Sequence, residues 1–224
     1  MPRRVDLNVD IGEGFAHDDA LLEIATSANV CCGVHAGNPD TTRRTVDACR
    51  AQGVRVGAHP GFPDRASMGR RAPESAEHPA FFASVREQID AFRRCYEPAY
   101  IKPHGALYQM LSSADAEQAE RWGRELGLDD GPVMALPGTP FAAWLGDRLV
   151  SEGFADRAYR ADGQLVPRSE SGSVLAGKPE MAAQAVTLAG SVHSVCLHGD
   201  TQECVEHARA VRHALEAAGW EVGA

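Results

Sequence analysis

Residues Val5–Gly14 read VDLNVDIGEG. Successive side chains of a strand point to opposite faces, so Asp6, Asn8 and Asp10 fall on one face and Val5, Leu7, Val9 and Ile11 on the other. In a closed barrel the apolar face packs under surrounding helices. The carboxylates and the amide then point into the interior, where burial is costly unless each finds a partner. Asp6 and Asn8 read as members of such a bonded interior network. Asp10, and Glu13 on the glycine-flanked turn, read as the acidic groups of a site.

Outward from this strand, short apolar runs alternate with longer amphipathic stretches, the pattern of repeated βα units around a parallel sheet. Seven strands are expected, at Val5–Ile11, Ala28–Val34, Val54–His59, Tyr100–Pro103, Val133–Leu136, Phe154–Tyr159 and Val192–His198. Helices are expected over Pro39–Gln52, His78–Tyr96, Asp115–Leu126, Pro140–Glu152, Pro179–Ala189 and Gln202–Ala218. Ala161–Lys178 is the one long polar connection, and long connections in compact domains are often functional. Periodicity does not separate a barrel from an open doubly wound sheet. The spread of polar groups over the ends of at least five strands favours the α/β class as a seven-stranded (β/α) barrel, because an open sheet concentrates them at its switch point. At 224 residues the chain suits one domain, 1–224.

Four histidines stand where strands run into glycine: His35 in VHAG, His59 in AHPG, His104 in PHG and His198 in LHG. Glycine permits a sharp turn or a close ligand, and histidine moves protons or binds metal near neutral pH. Four such junctions on one sheet point to a shared site. His17, His78, His207 and His213 lie in polar or helical settings and read as surface residues, and His193 as a loop residue. Lys102, at the end of the fourth strand, is a candidate to hold a carboxylate or phosphate. Arg70, Arg71 and Asp64 on the loop after the third strand, and Asp200 after His198, are candidates to hold an anion or orient a histidine. Cys31 and Cys32 read as packing residues.

The 44% hydrophobic and 24% charged composition is that of a globular protein. A net charge of -9 argues against nucleic acid or anionic lipid as partner. No apolar run approaches a membrane span or a signal peptide, and six cysteines without CxxC spacing read as reduced thiols, so a cytoplasmic location is expected. Neither GxxxxGKS/T, nor a strand-following GxGxxG, nor GxSxG occurs.

Taken in order, DLNVDIGEGF (6–15), ANVCCGVHAGNPDT (28–41), GVRVGAHPGFPD (53–64), GRR (69–71), YIKPHGALY (100–108), FADRAYRADGQLVPR (154–168) and VCLHGDT (195–201) resemble the LamB/YcsF family. The resemblance implies a barrel related to glycoside hydrolases and deacetylases. It also implies ATP-coupled hydrolysis of 5-oxoproline to L-glutamate with partner B and C subunits, with ATP and its Mg as the nucleotide requirement. Under that implication Asp10 or Glu13 acts as base, and His59 and His104 relay protons. Lys102, Arg70, His35, His198 and Asp200 then bind substrate or phosphate. Two other readings stay open: a metal-dependent deacetylase or amidohydrolase with an Asp10-His59-His104 metal site, and a non-catalytic subunit that binds the lactam for its partners.

Overall fold

The computed structural model describes residues 3–168, 170–201 and 203–224. Among the described residues eight strands are present: Arg3–Ile11 (β1), Ser27–Cys31 (β2), Arg55–His59 (β3), Tyr100–Ile101 (β4), Val133–Ala135 (β5), Leu149–Phe154 (β6), Ser194–His198 (β7) and Trp220–Val222 (β8). Every strand pairing is parallel, in the order β2-β3-β4-β5-β6-β7-β1, and β1 pairs back with β2 to close a seven-stranded barrel. The short β8 adds to the opposite, N-terminal end of β1, pairing Arg3–Val5 with Trp220–Val222. The helices are Asp18–Leu22 (α1), Pro39–Ala51 (α2), His78–Tyr96 (α3), Gly105–Ser112 (α4), Ala116–Glu125 (α5), Pro140–Leu145 (α6), Lys178–Ala189 (α7) and Cys204–Ala217 (α8). Among the described residues no helix is long and apolar enough to cross a membrane.

The alternation in β1 works as its sequence dictates. Val5, Leu7, Val9 and Ile11 enter the apolar core beneath the helices. Asp6, Asn8 and Asp10 are buried on the inner face. Asp6 accepts hydrogen bonds from the hydroxyls of Thr26, Ser27 and Ser194. The Asn29 amide donates to both Asn8 Oδ1 and Asp10 Oδ1 at 2.7 Å, and Tyr100 donates to Asn29 Oδ1 at 2.8 Å. The interior around β1 is therefore a polar lattice in which Asp6, Asn8, Asp10 and Asn29 are all hydrogen-bonded. Gly57 of β3 leaves room for it, since a Cβ there would collide with the Tyr100 ring.

Three expectations need correction. The sixth strand runs over Leu149–Phe154, not Phe154–Tyr159, because the helix begun at Pro140 stops at Leu145 rather than Glu152. Gly146 takes φ +57, a left-handed conformation that glycine adopts at little cost and that ends a helix. Glu152 thereby lies in the barrel wall. His207 is buried, at 6% exposure, on the inward face of α8 with Cys204, Ala208 and Val211, rather than on the surface. The elements α1, α4 and β8 are of eight residues or fewer and have no clear periodicity of their own.

At the end of β1 the chain turns through Gly12, φ +77, whose N–H donates to Asp18 Oδ2 at 2.8 Å. Burial, reinforced by the charges of Glu13 and Asp19, pushes the Asp18 carboxyl up from an ordinary 3.8 to about 6 despite that hydrogen bond. A raised folded pKa means that protonated Asp18 favours the fold below pH 3.8 and that this contribution is lost as pH rises through about 6. Asp18→Asn keeps an acceptor for Gly12 and does not ionise. Its melting temperature should match the wild type near pH 4 and exceed it near pH 7. A pH-independent difference would show that Asp18 ionisation does not limit stability.

Candidate active site

In a parallel barrel all strands run the same way, so residues at their C-terminal ends share one rim. Asp10 lies near the end of β1, with His198 of β7 as its register partner. His59 closes β3, while Lys102 and His104 follow β4. Together with Arg70, Tyr108, Phe154, Arg157 and Arg168, these residues line a cavity of about 340 Å³. His35, on the turn after β2, and Glu13 sit behind His104. The His35 and His104 rings stack in parallel at 3.9 Å, and Glu13 Oε1 lies 3.3 Å from His35 Nε2 and 3.4 Å from His104 Nδ1. The four histidine–glycine junctions thus converge, three on the cavity and His35 one layer back.

Lys102 is buried, at 1% exposure, far from the exposed state usual for lysine. Its ammonium lies 2.9 Å from Asp10 Oδ1, 2.8 Å from Glu152 Oε1, 3.2 Å from Asn8 Oδ1 and 3.0 Å from Cys196 Sγ. Burial alone would raise the Asp10 carboxyl, but Lys102, then His59 and His198, hold it well below the usual range. Glu152 is different: burial raises its pKa and Lys102 offsets this only in part. The 2.8 Å approach of Lys102 is a charge contact outside hydrogen-bond geometry, and neither Glu152 oxygen has a hydrogen-bond partner among the described residues. The Tyr108 hydroxyl on the cavity wall is likewise without one.

Each histidine on the cavity is oriented by its outer nitrogen. His59 Nδ1 lies 2.8 Å from the Lys102 carbonyl, and His104 Nε2 lies 2.8 Å from the Met68 carbonyl. His198 Nδ1 donates to Asp156 Oδ2 at 2.8 Å, and its backbone N–H donates to the same oxygen at 3.1 Å. His198 Nε2 then faces Asp10 Oδ2 at 3.9 Å. At the mouth, Asp200 Oδ2 accepts from Arg70 at 2.5 Å and from Arg168 at 2.7 Å, which fixes both guanidinium groups beside the opening.

Glu152, Asp156, Tyr108 and Arg168 complete the site beyond the residues picked out by sequence. The signal for Glu152 was hidden by reading its segment as helix. Asp156 and Arg168 lie in FADRAYRADGQLVPR, a stretch whose family pattern was visible, and Arg168 arrives on the long polar connection. Arg71 points elsewhere, pairing with Glu77 at 2.7 Å and lying 3.9 Å from Asp64. Cys31 is buried with Sγ 3.2 Å from His35 Nε2. The thiol and Glu13 outweigh the burial that works against His35's charge, so that its pKa rises to about 9.

The model of the LamB/YcsF family matches residues 5–224. The A subunit of 5-oxoprolinase from Streptomyces coelicolor is 43% identical, the match covering 98% of this chain and 99% of that one. The crystal structure of the lactam utilization protein from Thermus thermophilus superposes with a TM-score of 0.84 at 36% identity, covering 99% of both chains. A T48 deacetylase solved with substrate shares the fold at TM-score 0.55 and 14% identity, over 99% of this chain and 87% of that one.

Proposed function

From the premise that this chain belongs to the LamB/YcsF family, we propose that it hydrolyses the cyclic amide of 5-oxo-L-proline to L-glutamate. In this reading it acts as one subunit of an assembly whose partners are the B and C subunits and whose second substrate is ATP. The observation that carries the reading is one small cavity with two kinds of recognition. At its mouth Asp200 holds two arginines, and on its floor stand an ionised carboxylate and histidines with fixed ring orientation. A lactam acid has one carboxylate to be held and one amide carbon to be attacked.

The geometry supports the following roles. Arg70 and Arg168 bind the substrate carboxylate, since a guanidinium fork matches a carboxylate. Lys102, enclosed by Asp10 and Glu152, is a positioning residue that keeps Asp10 ionised rather than an anion anchor. An amide is a poor electrophile, and transfer of the ATP γ-phosphoryl group to the lactam oxygen, releasing ADP, converts that oxygen into part of a leaving phosphate. His198 Nε2 carries a lone pair because Nδ1 donates to Asp156. It takes a proton from the attacking water and returns it to the ring nitrogen as the C–N bond breaks, which leaves a glutamyl phosphate whose acyl carbon a second water attacks to release glutamate and phosphate. His59 and His104, their outer nitrogens committed to carbonyls, hold the floor of the site rather than passing protons along.

Reconstitution tests the reading. The isolated chain should show little or no lactam cleavage, and the mixture with B, C and ATP should release glutamate and phosphate together. Robust cleavage by the chain alone without ATP would overturn it.

A further inference from the structure

The floor of the cavity presents an electrostatic problem that the hydrolytic roles leave unresolved. Carbonyl oxygens only accept hydrogen bonds, so His59 Nδ1, 2.8 Å from the Lys102 carbonyl, and His104 Nε2, 2.8 Å from the Met68 carbonyl, both carry hydrogens. A neutral imidazole carries one N–H, which leaves lone pairs on His59 Nε2 and His104 Nδ1. These two atoms face each other at 2.9 Å. Asp10 Oδ2 stands 3.4 Å from His59 Nε2, and Asp10, His59 and His104 each offer a ligand atom within 4.8 Å of the other two. The other Asp10 oxygen already receives Lys102 and Asn29, so Oδ2 is the atom turned to the histidines. Three electron-pair donors thus converge with no hydrogen between them unless a positive species occupies their centre.

We propose that Asp10 Oδ2, His59 Nε2 and His104 Nδ1 form a binding site for one divalent transition-type cation, open on its remaining side to the lactam cavity. Separations of 2.9 and 3.4 Å are those of atoms each about 2.0–2.2 Å from a common centre. Two imidazoles and a carboxylate suit zinc, manganese, iron or cobalt better than calcium or magnesium, which prefer oxygen alone. The backbone carbonyls on both outer nitrogens are the second layer that fixes ring and tautomer in a metal-binding histidine. Glu13, 3.4 Å from His104 Nδ1, adds negative charge from behind. Three protein ligands and an open face are the arrangement of a reactive metal site rather than a closed structural one. The proposal concerns the cavity that the lactam reading uses, but neither its argument nor its test needs lactam, ATP or partner subunits, so each can fail while the other stands.

The test is made on the full chain stripped of metal by chelator and titrated with zinc, then with cobalt, by calorimetry. One equivalent should bind, cobalt should give a visible d–d spectrum, and crystals soaked in zinc should show one anomalous peak between the three atoms. His59→Gln and the nearly isosteric Asp10→Asn, each checked for folding by circular dichroism, should weaken zinc at least tenfold. The wild-type spectrum and the crystal keep the test decisive if a variant fails to fold. Absence of stoichiometric uptake by the wild type would assign the gap to a proton shared by the histidines and overturn the proposal. Undiminished uptake by folded variants, as from metal on surface histidines, would overturn it equally.

Discussion

Lys102→Met should lower the unfolding free energy by about 3–5 kcal/mol, the cost of stripping a buried charge cluster of one partner. The native ammonium is the common counter-ion of Asp10 and Glu152, and all three groups are at most 6% exposed. Methionine matches the length of the aliphatic stem, so packing changes little and the loss is electrostatic. Glu152 is the weaker of the two carboxylates: its pKa is already raised by burial, and it has no hydrogen-bond partner among the described residues. The design therefore extends to a cycle. Glu152→Gln on the Lys102→Met background should restore part of the lost stability, whereas Glu152→Gln in the wild type should cost little. A non-additivity of at least about 1 kcal/mol is the expected signature of groups in direct contact. Urea unfolding of the four proteins measures it. A Lys102→Met protein as stable as the wild type, or strictly additive changes, would show that the cluster is not held by this lysine.

Much of this arrangement was legible in the chain because it depends on local rules. Alternation in VDLNVDIGEG put Asp6, Asn8 and Asp10 on one face, and strand geometry needs nothing else to carry them inside. The four histidine–glycine junctions marked strand ends, and a common strand direction then gathers residues as distant as His35 and His198. What was not legible depends on partners far away in sequence. Lys102 reads as a residue that holds a carboxylate or phosphate until Glu152, fifty residues later, turns inward beside it. Glu152 lies inward on a strand that begins three residues after Gly146, where the preceding helix has already ended. The orientations of His59 and His104 likewise rest on the backbone carbonyls of Lys102 and Met68, which no side-chain pattern reveals. His207 erred in the opposite direction: on an amphipathic helix a histidine among charged residues reads as exposed, but its spacing from Cys204 and Val211 places it on the buried stripe.

His198→Gln in the reconstituted assembly should lower kcat by about 10²–10⁴, the usual contribution of a positioned acid–base group, while changing the KM for the lactam little. The reasoning rests on which histidine is free to exchange a proton with substrate. The cavity-facing nitrogens of His59 and His104 are turned toward each other and toward Asp10, whereas His198 Nε2 makes no hydrogen bond among the described residues and faces Asp10 Oδ2 at 3.9 Å. Its other nitrogen is anchored on Asp156, whose carboxyl burial would raise but which stays below the usual carboxylate range beside His198, whose ring and backbone N–H groups both donate to it. An ionised Asp156 fixes the tautomer with the lone pair on Nε2 and stabilises the imidazolium formed when the water proton arrives. Asp156→Asn places a weaker, neutral acceptor there, so kcat should fall in the same direction without loss of binding. Arg168→Ala should show the converse, a raised KM with kcat nearly kept, because that guanidinium meets the carboxylate in ground state and transition state alike. Steady-state kinetics of glutamate release separate the two patterns. An unchanged kcat in a folded His198→Gln assembly would remove this histidine from the proton path and shift the role to another group on the cavity wall.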